Sequence, residues 1–313
     1  MKLNSVELTT IIYIAITTVM IAIYGTQLDN LYSMLLLRAA ALIIIPITYF
    51  LSRSLPTRWA LCLRTFPLMA LLVFWYPETY DFCSQLPYQD HVFAAIDQQL
   101  FGCQPSLEFA QVMPQTFWSE AFNMGYYAYY YMMAAVIIFY LVCRTTHYDR
   151  ATFIFLGSFF IFYLVFEFLP VAGPQYYFQA LHDIYGTDPF TSLPWPLPSV
   201  GHYFSTHQAA MLPEAKGIFS QLVLGAQEMG EHPTAAFPSS HVGMSTVVML
   251  LAWRSGNRTL PAILLPFYIL LCLATVYIRA HYLIDSICGL IFAVVLYLAT
   301  DRLYTRLHTH ANP

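Results

Sequence analysis

The chain reads as an all-α, polytopic membrane helical bundle of about eight transmembrane helices, and three observations predict it. Hydrophobic residues make up 58% of the 313 residues and charged residues only 10%. Mean hydropathy is +0.58, and apolar runs of about the 20 residues that cross a bilayer recur along the chain. A soluble domain of this size carries far more surface charge. A bundle with short loops uses the whole length as one unit, so a single membrane domain is expected over residues 1–313. The net charge of -4 is spread out and points to no nucleic-acid partner.

In order, the spans lie near 8–25, 33–51, 60–77, 121–143, 151–171, 238–253, 260–280 and 282–301. The first lacks a small-residue cleavage site and reads as a retained anchor. The sixth is short, and the turn between the last two is very tight. Alternating the spans collects Lys2, Arg53, Arg58, Arg64, Arg144, Arg150, Arg254, Arg258, Arg302 and Arg306 on one side, with Arg38, Lys216 and Arg279 as exceptions. That side is then cytoplasmic and holds both the N- and C-termini. The long segments 78–120 and 172–237 face the external, periplasmic or lumenal, side and are rich in Asp and Glu. Residues 90–120, "DHVFAAIDQQLFGCQPSLEFAQVMPQTFWSE", read as short amphipathic helices in the external loops, lying on the bilayer surface. The tyrosines of "GYYAYYYMM", 125–133, open the fourth span as an aromatic belt or as a substrate lining.

The six cysteines show no metal-ligand spacing. Cys62, Cys143, Cys272 and Cys288 fall in apolar runs as small core residues. Cys83 and Cys103 share one external segment, where an oxidising compartment would allow a disulfide.

The chemistry-bearing residues fall in two stretches. In "AAFPSSHVG", 235–243, the sixth helix should start near Pro238, a residue favoured in a first helical turn. Free N–H groups and the positive dipole end there suit an anion, to which Ser239 and Ser240 add hydroxyl donors. A phosphate is the natural guest, and His241 beside it can protonate an oxygen leaving group. In "YIRAHYLID", 277–285, His281 and Asp285 are four apart and share a face if the segment is helical. A carboxylate on one imidazole nitrogen raises the basicity of the other, as a nucleophilic or general-base histidine requires. Arg279 fits a phosphate contact better than a topology signal, and Gly173, Pro174 and Gln175 form a loop bounding the pocket, with Gln175 a possible donor to phosphate. Both stretches fall on the external side of a topology assigned from Lys and Arg alone.

Other residues are less specific. Arg38 lies inside the second span, with a site role or a structural pairing role. Glu167 is expected at the interface, in contact with solvent. His202, His207 and His232 either line the pocket entrance or are ordinary loop histidines.

"PSSH" followed by "HYLID" resembles the second and third signature motifs of the type 2 phosphatidic-acid phosphatase superfamily, PSGH and then a histidine followed four residues later by aspartate. The resemblance implies His281 as a nucleophile forming a phosphohistidine, Asp285 orienting it and His241 as general acid, with no metal and no cofactor. The superfamily's first motif, KxxxxxxRP, is missing, and its Ser-Arg pair upstream of the nucleophile is replaced by Ala274 and Thr275. Arg279 and Lys216 are the candidate substitutes for that phosphate clamp. "FLPVAGPQYYF", 168–178, together with "FPSSH", "RAHYLID" and "AIDQQLFGCQPS", resembles the branch that includes fungal inositol phosphorylceramide synthase. This covers roughly residues 90–301, a catalytic core preceded by the N-terminal spans of 1–77.

The branch implies transfer of a phospho-head group from a phospholipid to an alcohol acceptor such as a sphingolipid. A simple lipid phosphate phosphatase, of the phosphatidic acid or polyprenyl diphosphate type, is the alternative. A transporter would place ionisable residues near the midplane beside broken helices, whereas these cluster at one face. A lipid-binding protein has no need of both histidines and the aspartate, and a serine hydrolase would show a GxSxG elbow.

Overall fold

The computed structural model describes residues 3–215 and 217–309, with the side chains of residues 228 and 229 outside that description. The described elements are helices: α1 (Ser5–Tyr24), α2 (Leu31–Ser52), α3 (Thr57–Ala70), α4 (Leu72–Cys83), α5 (Asp90–Phe101), α6 (Pro105–Val112), α7 (Thr116–Cys143), α8 (Tyr148–Phe168), α9 (Pro174–Tyr185), α10 (Ile218–Gly230), α11 (Ser240–Arg254), α12 (Thr259–Tyr277) and α13 (Leu283–Thr309), with three short 3-10 turns. Seven segments among them are long and apolar enough to cross a membrane, α3 and α4 together forming one. Pro67 and Pro77 each remove a helical hydrogen bond from that span, and it is interrupted at Leu71 between them.

The remaining expected span, the sixth, is α11. Its 15 residues rise about 22 Å, short of a hydrocarbon core of about 30 Å. It is instead an interior helix, packed against α7, α8, α12 and α13 and buried on nearly every residue from Val242 to Met249. α8 lies beside it as the most enclosed of the long helices, with 78% of its apolar window inside the protein. The outer helices present apolar side chains outward, including Ile23, Ile43, Val73 and Ile291, the surface expected of a bundle whose solvent is lipid.

Polar contacts join the N-terminal spans to this core. Asn4 and Glu7 form a capping box at the start of α1, and Glu7 also receives Arg64 of α3 at 2.6 Å. Arg38 pairs with Glu78 at 2.9 Å, which favours the structural of its two expected roles. Glu167 departs from the expectation of interfacial solvation: it is fully buried and accepts a hydrogen bond from Tyr13 at 3.0 Å.

α5, α6, α9 and α10 form a layer over one end of the bundle; α5 and α6 are the short helices expected in 90–120, whose last residues instead open the span α7. Two acids of α5 attach it. Asp90 accepts the N–H groups of Ala172 and Gly173 and the Tyr282 hydroxyl, at 2.9, 2.7 and 3.1 Å. Asp97 accepts from Leu283 and Ile284, the first two amides of α13, at 2.8 and 3.0 Å. Those amides have no partner within their own helix, so the carboxylate both caps α13 and fixes the layer to it. Glu120 of α7 does the same for α10, accepting from Phe219 and Ser220 at 2.8 and 3.0 Å. Cys83 and Cys103 are both free thiols, so the disulfide allowed by their shared segment is not formed. Cys83 is buried at the end of α4, 3.2 Å from the Thr234 hydroxyl.

Candidate active site

The two motif stretches meet beneath this layer. Ser239 is the N-cap of α11, its hydroxyl accepting from Val242 N–H at 3.3 Å, so Pro238 precedes the cap instead of opening the helix. Asp285 O accepts from Ser239 N–H at 3.0 Å and joins the starts of α11 and α13. Gly289 permits the approach, because a Cβ there would collide with the Ser239 carbonyl. Gly173 has a φ of +101°, and a Cβ on it would lie 2.7 Å from Ala280 O. Only glycine accepts that conformation and that contact together.

α12 ends at Tyr277 and α13 begins at Leu283, so His281 sits in a turn and not on a helix. Arg279, with a φ of +65°, makes the bend. His281 and Asp285 therefore do not share a helix face, and the expected hydrogen bond between them is absent. Asp285 Oδ2 accepts from Tyr282 N–H at 2.9 Å, an acid at the third helical position reaching back to its cap residue. Oδ1 is buried without a hydrogen-bond partner among the described residues. His281 Nδ1 instead bonds Ala236 O at 2.7 Å. A carbonyl only accepts, so Nδ1 carries the proton and Nε2 keeps its lone pair. Nε2 lies 3.5 Å from Nδ1 of His241. Burial pushes the His281 imidazole down to about 4 against the carbonyl contact that raises it, so it is neutral at physiological pH.

His241 is packed between Tyr126 and Tyr129, with ring centroids 4.5 and 4.7 Å away, and its carbonyl accepts from the Ser245 hydroxyl. Ser240, His241, His281, Gln175, Glu231 and His232 line one narrow cavity. The amides of Ser240 and His241 make no hydrogen bond among the described residues, which leaves the first-turn donors of α11 open to an anion. Ser239, occupied as a cap, is not in the lining.

The other expected phosphate ligands fall differently. Gln175 is in the cavity, but its amide donates to Glu231 at 3.2 Å and its oxygen accepts from Gln227 at 3.4 Å. Arg279 points away: Nη1 donates to Met211 O at 3.3 Å, and the guanidinium lies 4.9 Å from the Phe190 ring centroid. The helix break at Arg279 turns its side chain away from the cavity, and it stays buried against Met211 and Phe190. Lys216 lies outside the described residues. Thr275, at the place of the missing motif arginine, is 3.0 Å from the Ser286 hydroxyl. No Lys or Arg among the described residues lines the cavity. Of the loop histidines only His232 reaches it, stacked on Tyr80; His202 and His207 stay outside. Glu231 was not singled out by sequence, where it was one acid of an acidic loop. It also accepts from the Tyr126 hydroxyl at 3.2 Å, and burial outweighs its three hydrogen bonds to push its carboxyl above the usual range. No group of three His, Cys, Asp or Glu among the described residues is arranged to hold a metal ion.

Fold and cavity together define a helical integral membrane protein with two histidines facing each other at a buried, anion-ready helix terminus. Residues 91–299, about two thirds of the chain, match the PAP2 superfamily, and the chain belongs to that superfamily. No curated protein and no solved structure matches it. Members of the superfamily are phosphoesterases, which supports an enzyme of lipid phosphatase type with a lipid-phosphate substrate.

Proposed function

We propose that the chain is a membrane phosphotransferase that takes a phospho-head group from a phosphodiester lipid onto His281 and passes it to an alcohol, in the manner of inositol phosphorylceramide synthase. The supporting observation is the imidazole pair: Nδ1 of His281 is committed to Ala236 O, and Nε2 faces His241 at 3.5 Å across the cavity. The Nε2 lone pair attacks phosphorus, and a P–N bond forms as the P–O bond to the leaving alcohol breaks. His241, whose value burial and the neighbouring His281 lower to about 3, is brought to the imidazolium by the charge of the bound phosphate and donates that proton to the departing oxygen. The acceptor oxygen then attacks phosphorus, the P–N bond breaks, and the acceptor's proton returns to His241.

The Ser240 hydroxyl and the amides of Ser240 and His241 bind phosphate oxygens; Gln175 contributes once substrate competes with Glu231 for its amide. Asp285 acts as a positioning residue, holding the Tyr282 amide and so the turn that carries His281. Arg279 is kept as a cation beside the cavity, and Lys216 as a candidate phosphate contact. The distribution of Lys and Arg supports an external opening for the cavity.

Charge favours a diester. A phosphate monoester carries nearly two negative charges at neutral pH and a diester one, and an uncompensated charge in an apolar site is expensive. The cavity has Glu231 and no described cation in its lining, so the single charge is the better guest. With water in place of the alcohol the same site is a phosphatase. Purified protein in nanodiscs containing a head-group-labelled phosphodiester lipid, with and without a sphingolipid alcohol, separates the two. Label on the acceptor is the expected result. Release of soluble phospho-head group alone, at a rate the alcohol leaves unchanged, overturns transfer.

A further inference from the structure

The arginines that marked one side of the chain do more than mark it. α11 runs from Ser240 in the candidate active site to Arg254, about 22 Å away along the helix axis. At that far end a cavity of about 560 Å³ opens between α7, α8 and α11, lined by Arg144, His147, Arg150 and Arg254 with Thr145 and Ser255. Arginines that serve only to orient a membrane protein need enclose no space; they can spread into the headgroup layer. Here three converge on one hollow and are held there. Nε of Arg144 donates to Ser255 O at 2.8 Å, while its two terminal nitrogens make no hydrogen bond among the described residues. Arg150 and Arg254 share one carboxylate, Asp301, at 2.7 and 3.0 Å. Asp301 lies outside the lining and bonds two of the three guanidinium groups, while Arg144 has no carboxylate partner among the described residues, so the hollow keeps a positive excess.

A guanidinium anchored through Nε and open at both terminal nitrogens is a fork for a tetrahedral oxyanion. We infer that this cavity is a second, non-catalytic anion site for a phosphate group, carried by an anionic lipid headgroup or by a soluble phosphate compound. Its place at the junction of the membrane-spanning α7 and α8 suits the first source, and the free Arg144 fork recognises either.

Two measurements test it on the full-length protein, alongside Arg144→Gln, which removes a fork that bonds the protein only through Nε. Native mass spectrometry follows lipid retained after extraction from phosphatidylcholine vesicles containing phosphatidylinositol phosphate. Thermal unfolding in detergent follows stabilisation by inorganic phosphate. Retention of the anionic lipid that falls about tenfold in Arg144→Gln, but persists in His241→Ala, supports a headgroup site. Stabilisation by inorganic phosphate with the same Arg144 dependence, and no retained lipid, supports a soluble ligand. Absence of both effects, or effects equal in wild type and Arg144→Gln, overturns the proposal. Arg144→Lys keeps the charge and loses the fork; it should bind more weakly than wild type while unfolding at the same temperature, which separates ligand loss from misfolding.

Discussion

Nδ1 of His281 and the carbonyl of Ala236, 2.7 Å apart, hold the imidazole in one tautomer. The contact crosses from the turn before α13 to the loop before α11, so the imidazole is oriented by backbone rather than by a carboxylate. His281→Ala should lower turnover of a phosphodiester lipid by about 10⁴-fold, the size of effect seen when a nucleophile is removed from an intact site. The check is turnover of variant protein that elutes and unfolds as wild type; a loss below tenfold overturns the nucleophile assignment.

His241→Asn should be selective. Loss of a general acid slows departure of a poor leaving group by about 10²- to 10⁴-fold, but costs little where the leaving group needs no proton. Rates on an alkyl diester and on a nitrophenyl diester of the same head group should therefore diverge in this variant. Equal losses on both would place His241 in binding and not in proton transfer.

The acid limb of kcat/KM should lie low. In the proposed mechanism His281 attacks as the neutral base; burial takes its folded value down to about 4 from 6.5, so attack would be lost only as pH falls through about 4. The same shift acts on stability. The unfolded chain takes up this proton near 6.5 and the folded one does not, so the contribution is complete above 6.5 and is lost as pH falls toward 4. A pH–rate profile with a diester, which does not titrate in this range, gives the reading. An acid limb near 6.5 that His281 substitution removes contradicts it.

Asp97→Ala should destabilise the protein by about 1–3 kcal/mol, because two buried amides of α13 lose their acceptor. Denaturation midpoints report the stability. Activity should fall as well, since those amides begin one residue after the His281–Tyr282 turn. Asp97→Asn, which keeps one acceptor oxygen, should fall between wild type and alanine.

Glu231→Gln and Glu231→Ala should part company. Glu231 accepts three hydrogen bonds, two of them on Oε2; glutamine keeps one acceptor oxygen and should retain more activity than alanine. Alanine abandons Tyr126, Gln175 and Gln227 and should raise KM more than it lowers kcat. Matching losses in both variants would mean that the ionised carboxylate is required.

Composition and span length determined the helical membrane bundle, because a lipid solvent leaves such a sequence few alternatives. His241 and His281 were likewise singled out by residue type and neighbours, and the structure brings them to one cavity; the helix start beside Ser240 was legible too. Tertiary structure decided what surrounds them. Read at helical spacing, Asp285 should face His281; the bend at Arg279 breaks that register and turns the aspartate to the Tyr282 amide. Arg279 itself, the cation best matched to phosphate by type, is turned away from the cavity by the same bend. α11 is too short to span but is stabilised by the helices on all sides of it, a matter of packing that its own hydropathy does not report. Asp90, Asp97 and Glu231 looked like ordinary loop acids, since nothing local distinguishes a solvated carboxylate from one aimed at a distant amide or hydroxyl. Local sequence carries periodicity and residue chemistry, while partners far apart along the chain are chosen only when the fold closes.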